Sequence, residues 1–140
     1  MYLDGFHEKG IFADNCPFRI IINSYKELEY PPHWHNAVEL VYAKKNGCEV
    51  NVNGRNIPVE ESDILIIAGG DIHAFTADKV GRDGERILIQ FDIPRLDCLN
   101  HIKNLVWTLA CTRVISRKNN SFVHDEIEKN IRKILDEHEG

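Results

Sequence analysis

The stretch AVELVYAKKNGCEVNVNGRNIPV, residues 37–59, decides the fold class. Asn46-Gly47 and Asn53-Gly54 each sit between runs rich in apolar and β-branched residues. Asn-Gly in such a place is the strongest short-range hairpin signal, because a two-residue turn needs positive φ at both positions. In CEVNV, Cys48, Val50 and Val52 share one face while Glu49 and Asn51 take the other, the period of a half-buried strand. Similar runs lie on either side. FRIIINSY begins at Phe18, DILIIAGGDIHAF carries a glycine turn between two strands, and GRDG turns into ERILIQFDI. In the last, Ile87, Ile89 and Phe91 alternate with Leu88, Gln90 and Asp92, but alternation alone does not say which set faces inward. Short strands joined by tight turns predict a sandwich or barrel.

Beyond Pro94 the period changes. Leu96, Leu99, Ile102, Val106 and Leu109 recur at helical spacing and predict a helix over 95–110. RVIS interrupts it, and a second helix is expected over about 121–138, with Asn120 or Ser121 at its cap. Val123, Ile127, Ile131, Ile134 and Leu135 form one apolar stripe. Asp125–Lys129 and Glu128–Arg132 are favourable pairs expected on the solvated side. The stripe has two readings: docking onto its own barrel, or a two-fold homodimer interface formed by the helical region. The expected division is therefore a barrel over 1–94 and a helical dimerisation region over 95–140.

Composition narrows the function. The 140 residues suffice for one core, and 17 Lys and Arg scattered among 22 Asp and Glu give a net charge of −5. That argues against a duplex-binding surface, which needs clustered cations. Cys16, Cys48, Cys98 and Cys111 lack any C-x-x-C spacing and read as reduced, mostly buried thiols of a cytoplasmic protein. MYLDGFHEKG has neither the basic nor the apolar region of a signal peptide, and no apolar run reaches membrane-spanning length. No G-x-S-x-G, nucleophilic pair or P-loop lysine is present, so Gly69-Gly70 need be only a turn.

The chemistry concentrates in HWHNAVEL, residues 33–40. On one unbroken strand His33, His35 and Glu39, at i, i+2 and i+6, point to the same face, with Trp34 and Leu40 turned away. Two imidazoles and a carboxylate suit Zn²⁺, Fe²⁺, Ni²⁺ or Mn²⁺. A histidine pair satisfied by backbone and a private Glu39 ion pair is the bland alternative. Trp34, Tyr42, Phe75 and Trp107 could stack on a sugar ring, though each is more often packing. Glu85, Arg86 and Gln90 are polar candidates near strand ends.

HWHNAVELVYAKKNG resembles the first motif of the cupin superfamily, and SDILIIAGGDIHAF resembles its second. The order H-W-H, E-L, N-G, D-I-L-I-I, I-H-A-F and ILIQFD is similar to the N-terminal domain of AraC-family transcription regulators over about residues 17–93. The resemblance implies a mainly β, double-stranded β-helix (jelly-roll) barrel followed by two C-terminal α-helices. It implies a metal set of His33, His35, Glu39 and His73, or an effector pocket made by these four and Gln90. Two departures stand out: Ser62 where the second motif has glycine, and Ala68-Gly69-Gly70 in place of P-x-G. The function expected is an effector-sensing and dimerisation domain, not an enzyme, that takes a sugar-like molecule or a metal ion. DNA would be reached only through a helix-turn-helix domain outside this chain. A stand-alone metal-dependent cupin enzyme of dioxygenase or sugar isomerase type is the alternative, and a ligand-free structural dimer is a third.

Overall fold

A computed structural model describes residues 7–8, 18–24, 30–75, 84–92 and 111–139. Nine strands and one helix follow in order: β1 (Phe18–Ser24), β2 (Tyr30–His33), β3 (Val38–Lys45), β4 (Cys48–Val52), β5 (Arg55–Val59), β6 (Ile64–Ile67), β7 (His73–Phe75), β8 (Glu85–Phe91), β9 (Arg113–Ile115) and α1 (Arg117–Glu139). They form two antiparallel sheets, β1-β8-β3-β6-β9 and β2-β7-β4-β5. From β2 to β8 the chain passes repeatedly between them, as a jelly-roll barrel requires. Among the described residues there is one helix where two were expected. The segment expected as the first, 95–110, lies outside them. RVIS supplies β9, which pairs with β6 and extends the barrel's own sheet. No helix among the described residues is long and apolar enough to cross a membrane.

The hairpin signals hold with one difference in geometry. Asn53 and Gly54 both take positive φ, 52° and 83°, the left-handed pair that the turn demands. At the first hairpin only Asn46 does, at 62°. Gly47 serves by size: a Cβ there would meet Val59 O at 2.8 Å.

Strand parity sorts the side chains into two cores. Val41, Ala43, Leu65, Ile67 and Leu88 of one sheet meet Cys48, Val50, Val52, Val59 and Phe75 of the other inside the barrel. Val38, Leu40, Tyr42, Ile64, Ile66, Ile87, Ile89 and Ile115 point outward and pack against Ile131 and Leu135 of α1. The five-stranded sheet is thus buried on both faces, which is why VELVY and ILII read as continuous apolar runs. On β8 the inner set is Arg86, Leu88 and Gln90.

The helix stripe is used within the chain. Ile131 and Leu135 are buried on the sheet, and Val123, Ile127 and Ile134 pack beside them, so the docking reading describes this face rather than a dimer seam. Asn120 breaks the helical path at φ −162° and its Oδ1 accepts from Val123 N at 3.3 Å, the cap expected there. Glu128 is not on the solvated side. It is buried, accepting from Tyr42 Oη at 2.8 Å and from Arg117 Nη2 at 2.9 Å. Buried His124 donates from Nε2 to Ser62 O at 2.6 Å and faces Asp125 Oδ1 with Nδ1. Cys48 is buried but Cys111 is exposed, against the expectation of mostly buried thiols. Cys16 and Cys98 lie outside the described residues.

Ser62, the departure from the motif glycine, has φ 74°. The left-handed region that favours glycine is therefore retained, with the strain held by Ser62 N–H donating to Ala43 O at 2.8 Å and by the His124 bond. Replacing Ser62 with Gly should stabilise the chain by about 0.5–1 kcal/mol in denaturant melts, the relief of a left-handed side chain less the added unfolded-state entropy. Ile131→Ala should cost about 2–5 kcal/mol. The double change Ile127→Glu with Ile131→Glu should unfold the chain, and sedimentation of a folded, merely dissociated species would show that the stripe belongs to a partner after all.

Candidate metal centre

His33, His35 and Glu39 converge, but not along one strand. β2 ends at His33, a bend occupies 36–37, and Glu39 sits on β3 in the opposite sheet. The chain crosses the barrel at this corner, so the shared orientation comes from the crossing and not from strand parity. A second segment is clipped to the corner. Gly70 N donates to His35 O at 2.8 Å. Gly69 passes so close to Asn36 O that a Cβ would have no room there. That contact explains how a turn without P-x-G still delivers His73 from β7, which pairs with both β2 and β4.

Each imidazole is locked by a backbone carbonyl. His33 Nδ1 bonds Pro31 O at 2.9 Å, His35 Nδ1 bonds Ala37 O at 3.0 Å and His73 Nδ1 bonds Asp71 O at 2.9 Å. A carbonyl only accepts, so all three Nδ1 atoms carry hydrogen and the Nε2 atoms are turned to the site. This is the outer-shell arrangement that orients ligating histidines. Ligand atoms of His33, His35 and His73 lie within 4.8 Å of one another.

Glu39 lies at the deep side of the cluster with 0% exposure. Its Oε1 is 3.4 Å from His35 Nε2 and its Oε2 is 3.4 Å from His73 Nε2. At that length neither contact closes as a hydrogen bond. Glu39 Oε2 and His73 Nε2 are both buried without a hydrogen-bond partner among the described residues. Two donors about 2.0–2.2 Å from one ion, at octahedral to tetrahedral angles, are themselves about 3.0–3.5 Å apart. The donor types, the orphaned atoms and the 3.4 Å spacings fit a divalent transition metal.

Gln90 donates from Nε2 to Glu39 Oε1 at 2.6 Å, and its amide orientation is fixed by Arg19 Nε donating to Oε1 at 2.9 Å. Arg19 in turn donates from Nη2 to Glu8 Oε1 at 3.3 Å. Burial alone would push the Glu39 carboxyl up, but His35, His73 and Gln90 outweigh it and hold it well below the usual carboxylate range. Burial would likewise lower His73, and the Glu39 charge beside it raises it above the ordinary imidazole value. His33 is lowered, by burial first, with the nearby His73 charge adding to it.

All five expected site residues meet here. The aromatic candidates do not: Trp34 stacks on His7, Tyr42 faces the helix and Phe75 is core beneath the Arg86 guanidinium. Trp107 lies outside the described residues. Glu85 is on the outer face with Lys44, and Arg86 points into the barrel away from Gln90's end. Two residues were missed. Arg19 was legible as a cation at an inward position of FRIIINSY. Glu8 was not, because a parallel bridge between His7 and Trp34 brings it there and no local pattern signals one.

A family model described as the AraC-like ligand binding domain matches residues 15–89. The chain belongs to that family. Among solved structures, this AraC-like domain is similar to a cupin protein from Bacteroides fragilis, at 17% identity over 60% of this chain and 82% of that one, with a TM-score of 0.44. It is similar to a variant of salicylate 1,2-dioxygenase from Pseudoaminobacter salicylatoxidans, at 17% identity over 59% of this chain and 24% of that one, with a TM-score of 0.45. It is also similar to oxalate decarboxylase from Bacillus subtilis, at 24% identity over 44% of this chain and 17% of that one, with a TM-score of 0.37. The domain thus spans about a quarter or less of the two enzyme chains. No curated protein matches it in sequence.

Of the three shifted groups, the facing pair Glu39 and His73 sets a pH window. The lowered Glu39 contributes stability that is complete above its ordinary value of 4.5 and is lost as pH falls through the folded value. The raised His73 contributes stability that is complete below its ordinary 6.5 and is lost as pH rises through its folded value. In chelator, the stability of wild type relative to Glu39→Gln should therefore peak between pH 4.5 and 6.5 and fall on both sides, as read from melts across that range. A flat difference would show that the pair does not carry these charges.

Proposed function

We propose that this domain is the sensory part of a transcription regulator and that its signal is a divalent transition metal held by His33, His35, His73 and Glu39. The carrying observation is the convergence of one ring nitrogen from each of three histidines within 4.8 Å, each imidazole locked through Nδ1 on a carbonyl. A metal bound there would supply charge to cancel Glu39 and a common anchor for β2, β3 and β7. The surrounding residues hold, orient and exclude water from it. The role assigned is sensing rather than catalysis, in keeping with the ligand-binding family. A sugar-sized effector is less well supported, since Val41, Val50, Val52, Leu65, Ile67, Phe75 and Leu88 fill the barrel next to the polar end.

Signal output would pass through β3. It carries Glu39 on its inner face and, three residues on, Tyr42 on its outer face, whose hydroxyl binds Glu128 of α1. An ion that binds one arrangement of barrel and helix better shifts their balance by its differential affinity. DNA contact belongs, on this reading, to a separate helix-turn-helix unit. Pairing of two such domains as a homodimer would use a surface other than the Ile131 and Leu135 stripe.

The test is titration of the chelator-treated chain with Zn²⁺, Ni²⁺, Mn²⁺ and, without oxygen, Fe²⁺. One equivalent should bind and raise the melting temperature, more strongly as pH rises and His73 Nε2 loses its proton. His35→Ala should bind at least about tenfold more weakly. No binding by calorimetry, together with an unchanged melt in every metal, would refute the metal reading and leave an organic effector.

A further inference from the structure

His33 closes the histidine cluster on its outer side, and there a second carboxylate approaches. Glu8 Oε2 lies 3.7 Å from His33 Nε2, while Oε1 accepts from Arg19. Its position is held by more than side-chain contacts. Glu8 N donates to Trp34 O at 2.8 Å. The His7 ring lies flat on the Trp34 indole, with centroids 3.8 Å apart and planes 5° from parallel. Trp34 therefore has a use in H-W-H: its neighbours aim into the site while its own ring clips the segment that carries Glu8.

The 3.7 Å separation exceeds the spacing expected of two donors on one ion by only a few tenths of an ångström. Charge points the same way. Neutral imidazoles and Glu39 alone would leave a divalent ion with one uncancelled positive charge in a largely buried site, and Glu8 brings a second carboxylate to its edge, shared there with the Arg19 guanidinium. Arg19 links both acids, binding Glu8 directly and Glu39 through Gln90. We propose that Glu8 is a further protein ligand of the metal, giving three histidines and two carboxylates around it. Such a set suits Fe²⁺, Mn²⁺, Ni²⁺ or Co²⁺, which accept five or six donors, better than four-coordinate Zn²⁺. This inference rests on the metal reading above.

Co²⁺ is the probe, because its visible d–d bands report coordination as well as occupancy. Wild type and Glu8→Gln, both checked for folding by circular dichroism, are titrated metal-free with Co²⁺. The expected result is Co²⁺ binding at least about tenfold weaker in the variant, with bands that shift in position and intensity as a carboxylate leaves the shell. Unchanged affinity overturns the proposal. So does weaker binding with an unchanged spectrum, which would mean that Glu8 acts only through its charge at a distance. Failure of the wild type itself to bind Co²⁺ would instead overturn the metal reading, an outcome separate from any difference between the two proteins.

Discussion

A carboxylate buried to 0% exposure is the constraint around which the polar half of this barrel is arranged. An isolated ionised group in that position would be forbiddingly costly. Glu39 stays charged because three elements converge on it: His35 from the corner before β3, His73 from β7 and Gln90 from β8. Those contacts require the two sheets to close over the same point. They also require the turn at 68–70 to sit against the corner at 35–37, where only a glycine at 69 leaves room for Asn36 O. The aliphatic core could tolerate many substitutions of similar volume. The polar end could not, because each removal leaves a buried group without its partner.

The same β-strand presents a second polar knot on its other side. Tyr42, Glu128, Arg117 and His124 join the outer face of β3 and the Ser62 turn to α1. Apolar packing by Ile131 and Leu135 fixes that the helix lies on the sheet, but it is poor at fixing how far along. Directional bonds do that. His124 binds the carbonyl of Ser62 in the turn before β6 and Glu128 binds the Tyr42 hydroxyl on β3, so sliding α1 by a turn would break both. The helix is thereby registered against a strand whose inner face belongs to the site.

Much of this was legible in the sequence, and the failures have physical causes. Period-2 patterning and the two Asn-Gly turns specified the strands and hairpins, because these are local properties. The set His33, His35, Glu39, His73 and Gln90 was legible through family resemblance and parity. Yet parity gave the right answer for a wrong reason, since the chain changes sheets between His33 and Glu39. Burial of Glu128 and His124 was illegible: helical spacing places them beside the apolar stripe, and only the hydroxyl of Tyr42 and the carbonyl of Ser62 make that position acceptable. RVIS looked like an interruption between helices because three residues of strand carry almost no periodic signal. Glu8 depends on a contact across more than twenty residues made by backbone and a ring stack.

Burial is graded across the site, and the gradient has a direction. His35, Glu39 and His73 are 2%, 0% and 1% exposed, whereas the side chains of His33 and Glu8 keep 15% and 36% of theirs. The deep groups are held by the barrel's two sheets and can move only with them. The outer pair sits on the end of β2 and on a segment clipped by Trp34. On the proposed metal reading, an ion entering from this side would meet His33 and Glu8 before Glu39. On that reading the buried carboxylate and its two imidazoles would set affinity, while the more exposed outer pair would bear on how fast an ion exchanges. For the sensing role proposed above that separation would matter, because a site sealed on all sides would hold an ion regardless of the concentration outside.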